Sequence, residues 1–270
     1  MSDAHRRRIT QTEEKSARAA HCRDSQSSLN HEVIMDSGSE KYYDDLYASM
    51  GKDYAAETEK LHVFIEKYKR TERNTLLDVA CGTGTHAGFL CKYYNVEGVD
   101  LNSNMLKVAR KKHPDIRFTQ GDMRNFDFDR QFNVVTCLFS AIGYMTTKAD
   151  LIKAIKNMSR HLLPGGVLLV EPWFTPEQWK PGHVSTIEVA KPEMRIVRMS
   201  HSGKKGNISI LKLEYLIGTA KGIEHLAERL DLGLFSHEDY RNAFRKSGLD
   251  VIHDPEGIFG RGLYIGTKPV

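Results

Sequence analysis

Hydrophobic positions along the chain follow two rhythms, one before Pro181 and one after it. In the first part, short apolar runs alternate with stretches of helical spacing. Leu76, Leu77 and Val79 form a run typical of a strand covered on both faces, broken only by Asp78. Further strand-like runs lie at residues 96–100, 116–120, 132–139 and 167–170. The turn Leu163-Pro164-Gly165-Gly166 precedes the last of them. Asp53 is placed to cap a helix whose Tyr54, Thr58, Leu61, Ile65 and Tyr68 recur at 4,3,4,3 spacing. Helices are also expected from about residue 85, over 105–112 and over 149–161. Alternating helices and strands predict a mostly parallel sheet. After Pro181 come four strand-like segments at 184–189, 195–202, 207–216 and 223–232, with the turn formers Ser202-Gly203-Lys204-Lys205-Gly206-Asn207 between two of them. Strands joined by short turns predict an antiparallel meander. A helix over 238–247 and strands at 250–254 and 262–267 then return to the main sheet. The expected fold class is α/β: a seven-stranded sheet with an antiparallel β insertion, about residues 184–233, between the fifth strand and the last helix. Its place in the chain sets the insertion over the crevice of the sheet.

Composition changes this picture at one end. Residues 1–38 are rich in charged and small polar side chains and nearly free of large apolar ones, so they are expected to be a disordered tail. Residues 39–270 then form the folded domain. His5-Arg6-Arg7-Arg8 would suit a nucleic-acid arm, but Glu13, Glu14 and Asp24 dilute its charge and favour a solvated tail. The net charge of +4 is modest, and nucleic acid is not an expected partner. No apolar run reaches the ~18 residues of a membrane span, so no membrane association is expected. Cys22, Cys81, Cys91 and Cys137 lack C-x-x-C spacing, which suits reduced thiols in a cytoplasmic protein. The 12 histidines show no metal-ligand spacing, and no metal site is expected.

Chemistry concentrates where the first strand ends. Cys81-Gly82-Thr83-Gly84 turns the chain before a helix, and glycines there let a ligand approach the backbone closely. The stretch from Gly82 to Ala87 also fits the dinucleotide pattern G-x-G-x-x-G/A. Three acids argue for a different cofactor: Asp78 within the first strand, Asp100 ending the second and Asp122 following the third. Acids on three successive strands would line one crevice of an open sheet.

From Asp78 to Trp173 the sequence resembles the class I S-adenosylmethionine-dependent methyltransferases, whose sheet is Rossmann-like. The resemblance implies S-adenosyl-L-methionine as cofactor. It implies that Asp78 and the turn Ala80, Cys81, Gly82 and Gly84 face its methionine part. Asp100 would bind the ribose diol, Asp122 and the backbone of Met123 the adenine. Leu101, Met105 and Phe139 would complete the cofactor site, and Tyr43 would cover it.

A narrower resemblance rests on Gly51-Lys52-Asp53-Tyr54, DVACGTGTH, QGDMRNF, FSAIGY, VEPWF, RMSHS and GRGL. These look like the N-methyltransferases of nucleotide-linked amino-deoxysugars, the desosamine and mycaminose type. Ala80 stands where many class I enzymes carry glycine. This resemblance implies methyl transfer to the amine of a small molecule by in-line displacement, with a homodimer among the expected assemblies. Tyr144, after the fourth strand, is the candidate catalytic residue: it either orients the amine and passes on its proton or caps the loop by packing. Glu171 either attracts the ammonium form or serves as a structural hydrogen-bond acceptor. Trp173 either stacks on the substrate or belongs to the core, and His201 either contacts substrate or packs within an inserted strand. Arg261, between two glycines, has an exposed setting suited to gripping a diphosphate. Other function classes remain: a methyltransferase of other small molecules, of RNA or of protein, and a non-catalytic cofactor-binding protein. The D/N-P-P-Y/F motif of nucleobase amino-methyltransferases is absent, with Leu138-Phe139-Ser140-Ala141-Ile142 in its place.

Overall fold

A computed structural model describes residues 38–270 of the chain. The tail expected over 1–38 lies, up to residue 37, outside the described residues, as does Cys22. A 3-10 turn (Ser39–Tyr42) leads into helix α1 (Tyr43–Ser49). Helix α2 (Tyr54–Tyr68) begins where the Asp53 carboxylate accepts the Ala56 amide at 2.9 Å, satisfying an N-terminal donor that the helix itself leaves unpaired. Its Leu61 and Ile65 are fully buried, as their spacing predicts.

The alternating part follows as β1 (Thr75–Val79), α3 (Thr85–Leu90), β2 (Asn95–Asp100), α4 (Ser103–Lys112), β3 (Arg117–Gln120), β4 (Phe132–Cys137), α5 (Lys148–Arg160) and β5 (Leu162–Val170). The insertion is β6 (Val184–Lys191), β7 (Met194–Lys205), β8 (Ile208–Thr219) and β9 (Gly222–Gly233). Helix α6 (His237–Lys246), β10 (Asp250–Asp254) and β11 (Leu263–Thr267) close the chain. The main sheet has the order β10-β11-β5-β4-β1-β2-β3, with β11 antiparallel to β5 and β10 and the other pairs parallel. Neighbouring strands run outward in both directions from β1. That switch opens a crevice at the carboxyl ends of β1 and β4. Apolar clusters cover both sheet faces: Leu61, Ile65, Leu90, Leu106 and Ala109 on one, Leu151, Ile155, Tyr240 and Phe244 on the other. No helix among the described residues is long and apolar enough to cross a membrane.

Element boundaries depart from the sequence reading in two informative places. The fourth strand stops at Cys137 because Phe139 and Ser140 take positive φ, 52° and 60°, and turn the chain into the crevice. In the insertion, pairing of β7 with β8 runs on to Lys205↔Ile208, so the expected six-residue turn shrinks to Gly206-Asn207. Lysines at the tips of these strands stay exposed while their backbones pair.

Side chains of the insertion sheet alternate between two faces. Val189, Ile196, Leu213, Tyr215 and Ile217 pack inward with Leu46 of α1. Helix α1 also ties the two parts of the site together. Asp44 accepts the hydroxyls of Thr83 (2.7 Å) and Thr85 (2.9 Å) and pairs with Lys112, while Asp45 pairs with Lys191 of β6 at 2.6 Å. The glycine turn and the insertion are thus held by one short helix.

Candidate active site

The turn after β1 is shaped by residues in left-handed backbone. Ala80 has φ 57°, a conformation that costs an L-residue roughly 1–2 kcal/mol and that glycine adopts without that cost. Gly84 is required: a Cβ there would lie 2.8 Å from the Phe118 ring. The turn is pinned by Cys81 N donating to Val99 O at 3.1 Å and Gly82 N donating to Asp100 Oδ2 at 2.8 Å. A cavity opens above it, lined by Tyr43, Tyr54, Asp78, Ala80, Cys81, Gly82, Thr83, Thr85, His86, Leu138 and Phe139.

Asp78 lies at the floor of this cavity, 2% exposed, with Thr136 Oγ1 donating to Oδ1 at 2.9 Å. Burial pushes its carboxyl up to about 7; the Thr136 hydroxyl opposes the shift and Asp100 adds to it. A buried carboxyl with one donor is suited to a cationic ligand, which would restore its charge. Burial also raises Asp100, against the amides of Asn102, Gly82 and Leu101, which hold it down. Leu101, Met105, Asp122 and Met123, also expected at the cofactor, are not among the residues that line the cavity. Leu101 is exposed, Met105 half-buried and Met123 buried. Asp122 is forked by Arg124, whose Nε lies 3.0 Å from both carboxylate oxygens, and that bond lowers its pKa.

Across the crevice, the Phe139-Ser140 corner is held from three sides. Phe139 N donates to Glu171 Oε2 at 2.7 Å, Ser140 Oγ donates to Pro172 O at 2.6 Å, and Arg261 Nη1 donates to Ser140 Oγ at 2.9 Å. Glu171 is 1% exposed and its Oε1 has no partner among the described residues. Burial raises its carboxyl to about 7, with Arg261 the strongest opposing influence. Trp173 donates its indole N–H to Ser209 of β8 at 2.9 Å and is half-buried, so it ties the crevice wall to the insertion. Tyr144 keeps 45% of its surface exposed. Its hydroxyl stays above the ordinary phenol range, through desolvation first and then Tyr47, Asp100 and Glu228.

Two sequence expectations are corrected here. Arg261 is not an exposed grip: it is half-buried, with its guanidinium 5.3 Å from the Trp173, Phe174 and Phe259 rings and 5.9 Å from Phe139. His201 is not brought to the crevice. It lies exposed on the outer face of the insertion, opposite Lys212, because alternation along β7 turns Ile196, Arg198 and Ser202 inward. Sequence reasoning in turn missed Thr83, Thr85 and His86 as lining residues, and read Tyr54 only as part of a helical stripe. The motifs Gly51-Lys52-Asp53-Tyr54 and DVACGTGTH carried that signal without a role attached.

Residues 76–166 match the methyltransferase-domain family. The dTDP-3-amino-3,6-dideoxy-alpha-D-glucopyranose N,N-dimethyltransferase of Streptomyces fradiae is 39% identical over 226 residues, covering 83% of this chain and 88% of that protein. The chain belongs to the S-adenosylmethionine-dependent N-methyltransferases. Two solved structures agree with this methyltransferase throughout the fold. The crystal structure of Streptomyces venezuelae DesVI superposes with a TM-score of 0.81 at 38% identity, covering 85% of this chain and 98% of that one. The S-adenosylmethionine-bound CalS10, an amino pentose methyltransferase from Micromonospora echinaspora involved in calicheamicin biosynthesis, superposes at 0.77 with 34% identity over 90% and 99%. The cofactor is S-adenosylmethionine, and the cavity suits it. A glycine turn leaves open space above Gly82, close to the buried Asp78 carboxyl and the half-buried Asp100.

Proposed function

We propose that this methyltransferase acts on the amine of a nucleotide-linked amino-deoxysugar. The observation that carries the reading is Glu171: a buried carboxyl with one unpartnered oxygen, beside Arg261 and four aromatic rings, across the crevice from the cofactor cavity. An amine is the group such an oxygen accepts, and the long match to an amino-sugar dimethyltransferase supports the same choice. S-adenosylmethionine supplies an electrophilic methyl on a sulfonium. The protein's task is to hold a neutral amine ~3 Å from that carbon and in line with its bond to sulfur.

In this reading Asp78 holds the positive end of the methionine part, Asp100 the ribose diol, and Asp122 with Met123 the adenine. Leu101, Met105 and Phe139 pack around the nucleoside and Tyr43 closes over it. Tyr144, whose hydroxyl stays protonated at neutral pH, orients the amine through a hydrogen bond and does not act as a phenolate base. Glu171 takes or holds the proton that the amine must lose, and Trp173 with Phe174 keeps water out. We further place the protein as a cytoplasmic homodimer: Cys81, Cys91 and Cys137 are free thiols, and the outer face of the insertion exposes Val197, Met199, Leu216 and Ile223. A monomer in sedimentation equilibrium would remove the dimer from this reading.

Incubation with labelled S-adenosylmethionine and a panel of nucleotide amino sugars, simple amines, RNA and protein tests the acceptor class. Label is expected on the nucleotide amino sugar, in one or two successive transfers. Label on RNA or protein alone would replace the small-molecule reading.

A further inference from the structure

The loop between β10 and β11, residues 255–262, carries Phe259 and Arg261. Its first half is tied down by hydrogen bonds. Asp254 Oδ1 accepts the amides of Glu256 (3.1 Å) and Gly257 (2.7 Å), and Lys60 Nζ donates to Ile258 O at 2.9 Å. The end of the loop rests on packing. Gly262 has φ 83°, and a Cβ there would lie 2.6 Å from His253 Nε2. The Gly262 backbone also touches Gly257, where a Cβ would lie 2.5 Å from the Gly262 carbonyl carbon. Gly262 thus packs against the His253 ring and Gly257, one residue after Arg261.

His253 Nε2 is fully shielded and has no hydrogen-bond partner among the described residues. The ring lies 4.6 Å from that of His237 and 4.5 Å from that of Tyr264, and His237 Nδ1 is already bonded to the Tyr264 hydroxyl at 2.6 Å. In the neutral ring one nitrogen carries no hydrogen; in the cation both carry one. A charged N–H at Nε2 would press on the Gly262 backbone with no acceptor in place, and burying such a cation unpaired is costly. The surroundings act in the same direction. Desolvation first, then His237 and Arg241 of α6, holds the ring below the ordinary histidine range, and Asp254, whose Oδ1 is occupied by the loop amides, opposes them.

We propose that His253 is a positioning residue: its neutral ring holds Gly262 so that Arg261 reaches Ser140, and protonation of the ring releases that end of the loop. Arg261 donates to Ser140 Oγ and is the strongest influence keeping Glu171 ionised, so the release is felt on the acceptor side of the crevice. The consequence for methyl transfer rests on the amino-sugar reading above; the release itself does not.

The test is the pH dependence of kcat/KM with dTDP-3-amino-3,6-dideoxy-alpha-D-glucopyranose as acceptor, for wild type, His253→Phe and His253→Ala. Phenylalanine keeps a ring against Gly262 and takes no charge. The acid limb of His253→Phe is expected to be shallower than that of wild type by one proton, so that about tenfold less activity is lost per pH unit at its acid end. Alanine removes the packing at every pH and is expected to lower kcat about tenfold at pH 8, with affinity for S-adenosylhomocysteine unchanged. A second readout needs no acceptor. Trp173 and Trp179 are the two tryptophans of the chain, and the Arg261 guanidinium lies 5.3 Å from the Trp173 ring. Wild-type tryptophan emission is therefore expected to change in a one-proton step at acid pH that His253→Phe lacks. An equally steep acid limb in His253→Phe would overturn the inference, as would an emission step that survives in that variant or full kcat in His253→Ala. If wild type leaves the sugar unmethylated, the acceptor reading falls and the emission step alone decides. Should His253→Phe fail to fold, His253→Gln, also uncharged, is read in its place.

Discussion

Asp100→Ala is expected to weaken S-adenosylhomocysteine binding at least tenfold while the melting transition survives. The carboxylate would lose two hydrogen bonds to the ribose diol, each worth ~1.5–3 kcal/mol before water compensates. The structure adds a second cost. Asp100 also accepts the amides of Gly82 and Asn102, both at 2.8 Å, so its removal frees the glycine turn that shapes the cavity. Asp100→Asn separates the two contributions: it keeps one acceptor oxygen and the side chain's size, and should lose less. Calorimetry reads both variants. Affinity unchanged in Asp100→Ala would remove this residue from the cofactor site.

The parts of this site that were legible in the sequence are local. Asp78, the glycine turn and Asp100 lie within 23 consecutive residues, from Asp78 to Asp100, and strand–turn–helix geometry follows from their pattern. Parts assembled from distant segments were not legible. Arg261 was read as exposed because glycines flank it, yet the rings that surround it come from Phe139, Trp173, Phe174 and Phe259. Nothing local to Arg261 announces three of those. The outward placement of His201 has a different cause. In Met194 to Ser202, apolar residues stand at both parities (Ile196, Val197, Met199), so the pattern does not set which face is buried. A phase error of one residue sends every side chain to the wrong side. Phe139 and Ser140 are similar: their positive φ is imposed by Glu171, Pro172 and Arg261, and a run such as FNVVTCLF reads as unbroken strand.

Arg261→Ala should fall mainly on kcat, where the exposed setting suggested by the sequence would have placed it on KM. In the structure the guanidinium holds Ser140 and is the strongest influence keeping Glu171 ionised. Its loss frees the Phe139-Ser140 corner and raises the Glu171 carboxyl together, so a loss of about 10²-fold in kcat/KM is expected, the low end of acid–base contributions. The pH profile tells this apart from a fold defect. Burial holds the Glu171 carboxyl near 7 with Arg261 present. Without the arginine the carboxyl rises further, so the acid limb of kcat/KM moves to higher pH and alkaline buffer restores part of the activity. The sign for stability is the reverse. A carboxyl whose folded pKa is raised favours the folded state at low pH and loses that contribution as pH climbs from about 4.5 through 7. Tyr144→Phe provides the contrast. It removes a hydroxyl that orients the amine, leaves Glu171 untouched, and should lower kcat by about 10²-fold or less with no shift of the acid limb. An Arg261→Ala enzyme with unchanged kcat and raised KM would return that residue to a binding role. A shifted acid limb in Tyr144→Phe would mean that the phenol, and not Glu171, governs the proton of the amine.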